Sequence, residues 1–408
     1  MSKHRVLFVT YDGLLDPLGG SQILPYLRGL RPTIERLHIL SFEKRDRYTA
    51  AGDAMRAALA DDRIDWTPLR FTTGLGPMGK LWDSLKLTLT GIGLAAYRRA
   101  SLVHARGHVT AGLALWCKRL LGTRMIFDFR GLWVDERVDK GGWNLTKRAD
   151  QLQYSYFKRQ ERKLLACADE VVVLTEAVVP EVLRMGVRRC GAITVIPCCA
   201  DFDLFHPASA SVRKAVRDRL GINDDALVLA YLGSVGPMYR LDRFFRLIEL
   251  ASATRPSMRA LVITLDRAAL EAEMYRSLPA ELHDRLIICQ ASRTEVAELL
   301  SAVDVLVSFI QPSYARTAAS PTKMAEGFAV GVPTVCNNDV GDVERHVSLL
   351  GGGECGPIED SEWLSGAASR LEVTAAKGGM RLRNAARTMF GLELAVDRYN
   401  AIYARLEN

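Results

Sequence analysis

The chain has 408 residues, 49% of them hydrophobic and 25% charged, which exceeds one typical domain and supplies apolar surface for two cores. That composition excludes an intrinsically disordered chain. The formal charge of +7 suits an anionic small ligand, an anionic membrane surface or nucleic acid. Nucleic acid is set aside, because neither an RNA-binding signature nor a long basic tract is present.

MSKHRVLFVT runs straight into a strand pattern, without the apolar stretch or cleavage site of a signal peptide. Strands are predicted at 6–10 (VLFVT), 37–42 (LHILSF), 102–105, 125–129 (MIFDF) and 170–174 (EVVVL), with helices at 111–121 and 143–167 among the connections. The most apolar helical run, 81–97, carries Asp83 and Lys86 and falls short of the roughly 20 apolar residues a spanning helix needs. The same grammar restarts after residue 200, with strands at 227–233 (LVLAYLG), 260–264 (ALVIT), 286–289 (LIIC), 303–308 (VDVLVS) and 332–336 (VPTVC). Helices are predicted at about 241–254, 294–302 and 322–330. Between the halves, 195–207 is turn-rich. A last helix over 387–406 places Phe390, Leu394, Tyr399, Ile402 and Tyr403 on one face.

Continuous apolar strands separated by helices predict parallel sheets covered on both faces. The expected fold is α/β, with two facing Rossmann-like, doubly wound domains at 1–200 and 201–385, and a C-terminal helix (386–408) packing back on the first. In such sheets ligands bind at the carboxyl ends of the strands, so informative residues should follow the strands. Eight cysteines are scattered without a C-x-x-C pair. They are read as reduced thiols of a cytosolic protein, with no metal site.

Two segments stand out. The first loop, YDGLLDPLGGSQ (11–22), contains Gly19, Gly20 and Ser21. A helix beginning near Ser21 would offer free backbone N–H groups to a phosphate; the plainer reading is a strand-to-helix turn capped by Ser21. The second is SPTKMAEGFAVGVPTV (320–335). Here Pro321 suits a first helical turn, Ser320 can cap it, Thr322 lies within it, and Lys323 adds positive charge for a diphosphate. Glu326, one turn on, suits ribose hydroxyls. The plainer reading is an amphipathic helix with a solvated Lys and Glu.

The P-x-K-x-x-E-x-x-x-x-G-x-P-x-V run resembles the donor-binding helix of retaining glycosyltransferases of the GT-B fold, the family 4 type (bacterial group 1). The Asp16-Pro17-Leu18-Gly19-Gly20-Ser21-Gln22 loop is similar to that family's phosphate-contacting glycine loop. His104-Ala105-Arg106-Gly107, Asp128-Phe129-Arg130-Gly131 with Asp135 and Glu136, the 195–207 linker, and Asn337-Asn338-Asp339 resemble further segments in the family's order. The resemblance implies a hexosyl-transferring enzyme for polysaccharide synthesis. Its donor would be a nucleotide-sugar held by the second domain, and its acceptor a glycan, a lipid-linked or a small molecule. Neither cofactor nor metal is implied. The expected donor-binding residues are Gly19, Gly20, Ser21, Gly233, Ser234, Arg240, Ser320, Pro321, Thr322, Lys323 and Glu326. The expected catalytic set is Arg130, His108, Asp135 and Glu136.

Three departures from the family pattern matter. Ala318 stands where an earlier glutamate is common, Ser234 where an arginine is, and Arg130 where a histidine often is. Arginine stays charged near neutral pH, so Arg130 is no general base; it can orient a carboxylate or stabilise a leaving phosphate. Alternatives kept open are a sugar-nucleotide epimerase of the same fold and a silent nucleotide-sugar-binding partner. An NAD enzyme is disfavoured, since no G-x-G-x-x-G follows a first strand. Helix 143–167 carries Lys147, Arg148, Lys158, Arg159, Arg162 and Lys163 beside Tyr154, Tyr156 and Phe157. The plainer reading is a solvated basic face, the sharper one peripheral contact with the inner face of an anionic membrane.

Overall fold

A computed structural model describes residues 2–187 and 192–407. The chain divides into two compact units, Met1–Pro197 with Leu392–Asn408, and Cys198–Gly391.

The first unit runs β1 (Ser2–Thr10), α1 (Pro17–Gln22), α2 (Leu24–Leu30), β2 (Ile34–Glu43), α3 (Arg45–Asp61), β3 (Ile64–Arg70), α4 (Gly76–Tyr97), β4 (Leu102–Arg106), α5 (His108–Leu121), β5 (Arg124–Asp128), α6 (Trp133–Asp139), α7 (Arg148–Cys167), β6 (Glu170–Val173), α8 (Val179–Arg184) and β7 (Ile193–Val195). Its seven strands lie in the order β3-β2-β1-β4-β5-β6-β7, and the described pairings are all parallel. Every residue of β4 is buried, as a sheet covered on both faces requires. β3, absent from the sequence reading, contains Pro68. As an edge strand beside β2 alone, it accommodates a residue that cannot donate to a ladder.

The second unit runs α9 (Ala210–Arg219), β8 (Val228–Leu232), α10 (Leu241–Ser252), β9 (Arg259–Ile263), α11 (Arg267–Ser277), β10 (Leu286–Cys289), α12 (Arg293–Leu300), β11 (Val305–Ser308), α13 (Thr322–Ala329), β12 (Thr334–Asn337), α14 (Val343–Leu350), β13 (Gly353–Gly356), α15 (Ser361–Ser369), α16 (Leu371–Ala375) and α17 (Met380–Phe390). The strand order is β10-β9-β8-β11-β12-β13. Alternate residues of β8 enter opposite cores. Val228, Ala230 and Leu232 join Phe205, Phe328 and Phe390 on one face, while Leu229 and Tyr231 join Phe244, Phe245 and Val307 on the other.

The single helix expected over 387–406 is two helices, α17 and α18 (Leu392–Arg405). The break is at Gly391, which is extended because the chain there pairs with the linker: Ala200 N–H donates to Phe390 O at 2.9 Å. α17 belongs to the second unit and α18 to the first, where Gly29 on α2 makes room for Val396. Cys117, Cys167, Cys198, Cys199, Cys289, Cys336 and Cys355 are free thiols; Cys190 lies outside the described residues. Among the described residues no helix is long and apolar enough to cross a membrane.

Candidate active site

In the second unit the strand order reverses between β8 and β11, the place where a doubly wound sheet opens a crevice at its carboxyl edge. Gly233 follows β8 at φ +129°, a conformation few other residues adopt. A Cβ there would stand 3.2 Å from Lys323 Nζ. The bare backbone at this position therefore lets Lys323 reach the end of β8.

Lys323 lies in the first turn of α13 and is buried. Its Nζ is 4.6 Å from the ring centroids of both Tyr231 and Tyr239 and has no hydrogen-bond partner. Burial lowers its pKa to about 7, with Glu326 opposing that shift. A buried cation faced by aromatic rings but bound to no acceptor favours an anion. Glu326 is buried as well and accepts from Arg293 Nη1 at 2.8 Å. Burial pushes its carboxyl up in pKa, and Arg293 and Lys323 oppose the shift.

The expected Ser320 cap is not formed. No side chain caps α13, Pro321 occupies the N-cap position, and Ser320 Oγ accepts from Cys198 N–H at 3.1 Å. The serine thus ties the linker to this loop, and proline's fixed φ starts the helix without it. Thr322 opens α13. Ser234 is exposed, and its carbonyl accepts from Tyr231 O–H at 2.5 Å. Arg240 already holds carboxylates, with Asp242 at 2.7 Å and Glu359 beside it. Ala318 is buried in a short 3-10 turn.

In the first unit the helix after β1 starts earlier than expected. It begins at Pro17, not near Ser21, because proline's fixed φ fits a first helical position. Gly19 N–H and Gly20 N–H both donate to Asp16 O, at 2.8 and 3.3 Å. Ser21 Oγ donates to Pro17 O at 2.9 Å, so it caps nothing. Gly19 has no room for a Cβ, which would lie 2.3 Å from Leu14 O, whereas Gly20 faces open space. The loop is anchored by Glu43, which accepts from Leu14 N–H at 2.8 Å and Ser41 Oγ at 2.7 Å.

Arg130 follows β5 with its Nη1 3.5 Å from Asp128. Arg106, at the end of β4, is 3.6 Å from Asp128 and 3.6 Å from Asp12. Tyr399 O–H donates to Asp128 at 3.3 Å, and His104 Nδ1 lies 2.8 Å from Tyr403 O–H. Burial alone would raise the Asp128 pKa, but Arg130, His104 and Arg106 outweigh it and hold the carboxyl well below the usual range. Two guanidinium groups thus surround one buried carboxylate at the carboxyl edge of the sheet.

His108 and Asp135 belong to a different group. His108 Nε2 donates to Glu161 at 2.8 Å, and Lys158 Nζ bridges Glu161 at 2.5 Å and Asp135 at 2.9 Å. Tyr154 O–H donates to Asp135 at 2.7 Å. The His108 ring stacks on Trp133 at 5.7 Å. Glu136 pairs with Lys140 at 3.0 Å. Lys158 is therefore not part of a solvated basic face: the buried carboxylates of Glu161 and Asp135 draw it inward, while Arg159, Arg162 and Lys163 stay exposed. Sequence reasoning missed Tyr231, Tyr239, Arg293, Glu161 and Asp128 as site partners, because each meets its partner only through the fold. Among the described residues no three His, Cys, Asp or Glu side chains converge on a metal-sized site.

Residues 4–199 match the glycosyl transferase 4-like domain family. Among curated proteins, D-inositol 3-phosphate glycosyltransferases are similar over short stretches. That from Streptomyces avermitilis is 28% identical over 103 residues, 25% of this chain and 22% of that protein. That from Saccharomonospora viridis is 29% identical over 105 residues, 26% and 24% of the two. The chain thus spans less than a quarter of those relatives' length in each match. Anabaena HepE, solved with UDP and glucose, superposes with a TM-score of 0.72 at 17% identity, covering 98% of this chain and 100% of that one. WaaG, a glycosyltransferase involved in lipopolysaccharide biosynthesis, gives 0.68 at 14% identity, covering 98% and 99%. At such identities the likeness is one of fold. The family match covers the first unit, and over the whole chain the likeness is to the GT-B fold.

Proposed function

We propose that the chain transfers a hexosyl group, with retention and without a metal, from a nucleotide-sugar to a hydroxyl of a glycan, lipid-linked or small-molecule acceptor. The observation that carries this reading is Lys323, a buried ammonium without a hydrogen-bond partner at the mouth of the β8–β11 crevice. As the bond from the anomeric carbon to the diphosphate oxygen breaks, its electron pair passes to that oxygen. A cation in a low-dielectric site and the uncapped start of α13 stabilise the charge as it develops. The acceptor oxygen bonds the anomeric carbon from the same face, and its proton passes to a donor phosphate oxygen, so no protein base is required. Arg293 takes one oxygen of Glu326, and the carboxylate retains capacity to accept from ribose hydroxyls. HepE, a relative in fold, was solved with UDP-glucose, which supports a uridine nucleotide as the first donor to try. The setting proposed is polysaccharide or glycolipid synthesis in the cytoplasm.

The test is thermal shift across UDP-, GDP- and ADP-sugars, followed by transfer and hydrolysis assays of the stabilising donor in excess chelator. A ligand bound to the folded state raises its stability by mass action. Stabilisation by one donor, with turnover surviving chelation, is expected. Loss of turnover on chelation that magnesium or manganese restores overturns metal independence. Binding without transfer or hydrolysis leaves a silent partner, a reading that the buried Ala318 also favours.

A further inference from the structure

The most apolar exposed surface of the first unit lies on α4 (Gly76–Tyr97). Met78, Leu81, Trp82, Leu85 and Leu89 are exposed by 75%, 73%, 54%, 46% and 62%. At 100° per residue these five positions fall within an arc of about 100°, a continuous stripe along the helix. The opposite face is spent on the fold. Leu87 and Ala95 are buried, and Gly91 packs against Leu113 of α5, where a Cβ would come within 2.3 Å. On α5, Trp116 and Leu120 are also exposed.

The charges of this region are sorted. Asp83, the acid of α4, is turned inward and accepts from Thr72 N–H at 3.0 Å and Thr72 Oγ1 at 2.6 Å. It also binds Lys86 at 2.9 Å. Arg99 just past the last turn and Arg119 beside Leu120 are exposed and enter no ion pair among the described residues. An apolar stripe whose acid is neutralised internally, with unpaired cations past the end of its helix and on the adjacent α5, is complementary to an anionic lipid interface. A packed protein partner would not require that charge pattern.

We propose that α4 is an interfacial membrane anchor, lying in the plane of an anionic bilayer surface with Met78, Leu81, Trp82, Leu85 and Leu89 inserted among the acyl chains. This goes beyond the transfer reaction and does not depend on it. It also moves the membrane contact away from α7, whose Lys158 is tied up internally.

The experiment is co-sedimentation of the full chain with phosphatidylcholine vesicles, with and without about 30 mol% phosphatidylglycerol. Binding is expected to the anionic vesicles and to weaken as salt rises. The triple variant L81Q/L85Q/L89Q should lose about ten-fold or more of that partitioning, while keeping its thermal transition and its UDP affinity. The variant R159Q/R162Q/K163Q on α7 should partition within about two-fold of the parent, as exposed charges away from the inserted stripe. If the triple variant does not fold, R99E/R119E tests the cations of this region and should abolish the preference for phosphatidylglycerol. Failure of the parent chain to bind, or unchanged binding by the folded variants of this region, overturns the proposal. So does a parent dimer in sedimentation velocity that the triple variant dissociates, since the stripe then serves a second copy. UDP affinity, read in parallel, reports on the donor site alone, so failure of the donor reading and failure of this one are distinguishable.

Discussion

Burial lowers the pKa of Lys323, so the proposed donor binding should depend on pH. Its folded pKa of about 7 lies below the ordinary value of 10.5. The unfolded chain therefore binds more protons between those values. The stability cost of Lys323 is largest below about pH 7 and is relieved as pH rises toward about 10.5. Phosphate binding has the opposite demand, because it needs the ammonium. UDP affinity should fall as pH rises from about 7 to about 9, by up to about ten-fold per unit, and Lys323→Ala should flatten that profile. A parent profile already flat over the same range, measured calorimetrically, would show that Lys323 does not meet phosphate. Lys323→Ala should also weaken UDP more than uridine. Glu326→Ala should weaken both alike, by about 1–3 kcal/mol, the scale of a charged hydrogen bond; an unaltered uridine affinity would remove Glu326 from the ribose. At this scale Lys323 and Glu326 stood out through the family resemblance of the run around them, since their spacing alone also fits a solvated helix face. The sequence could not mark Tyr231, Tyr239 or Arg293, which come from β8, the loop after it and α12.

Among elements, α7 differs most from its reading in the sequence. Its basic residues look alike in one dimension, yet Lys158 is held between Asp135 and Glu161 while Arg159, Arg162 and Lys163 face solvent. Burial alone would raise the Glu161 pKa, but His108 and Lys158 outweigh it and hold the carboxyl below its ordinary value. Removing the cation leaves two buried carboxylates short of a partner. Lys158→Met should cost about 3–5 kcal/mol of stability, whereas Arg159→Gln, Arg162→Gln and Lys163→Gln should each stay within about 0.5 kcal/mol. Urea unfolding with an unchanged slope separates the two classes, and equal midpoints for all four would mean that the network contributes nothing net. Strands rich in Val, Ile and Leu were legible because their burial on both faces writes a continuous apolar run. β3, with Pro68, and β13, whose sequence is Gly-Glu-Cys-Gly, were not. Edge strands need less apolar burial, and pairing with a neighbour rather than propensity defines them. α1 starts at Pro17 rather than near Ser21 because proline's fixed φ, not the glycines, sets the first helical turn.

At the scale of the whole chain, the two units differ in how they are assembled from sequence. The second unit is one continuous segment, Cys198–Gly391, whereas the first is completed by Leu392–Asn408 from the far end of the chain. α18 brings Ala395, Tyr399, Ile402 and Tyr403 into burial. It supplies the hydroxyl partner of His104 and pairs Arg405 with Glu170 at 2.8 Å. Fully burying a large apolar side chain contributes about 1.5–3 kcal/mol, so Tyr399, Ile402 and Tyr403 together contribute on the order of 5 kcal/mol. A domain's whole stability is about 5–15 kcal/mol, so the first unit without α18 should be marginal or unfolded. The second unit keeps Lys323, Glu326, Arg293, Tyr231 and Tyr239 within its own segment. Two fragments should therefore behave differently. Residues 1–197 alone should lack a cooperative thermal transition and regain one when a peptide of residues 392–408 is added. Residues 198–391 should melt cooperatively by themselves and be stabilised by UDP, because the proposed donor contacts lie inside that unit. Calorimetry of both fragments is the measurement. A cooperative 1–197 fragment indifferent to the peptide would show that α18 is dispensable, and a folded 198–391 fragment that ignores UDP while the full chain binds it would mean that donor binding also needs the first unit.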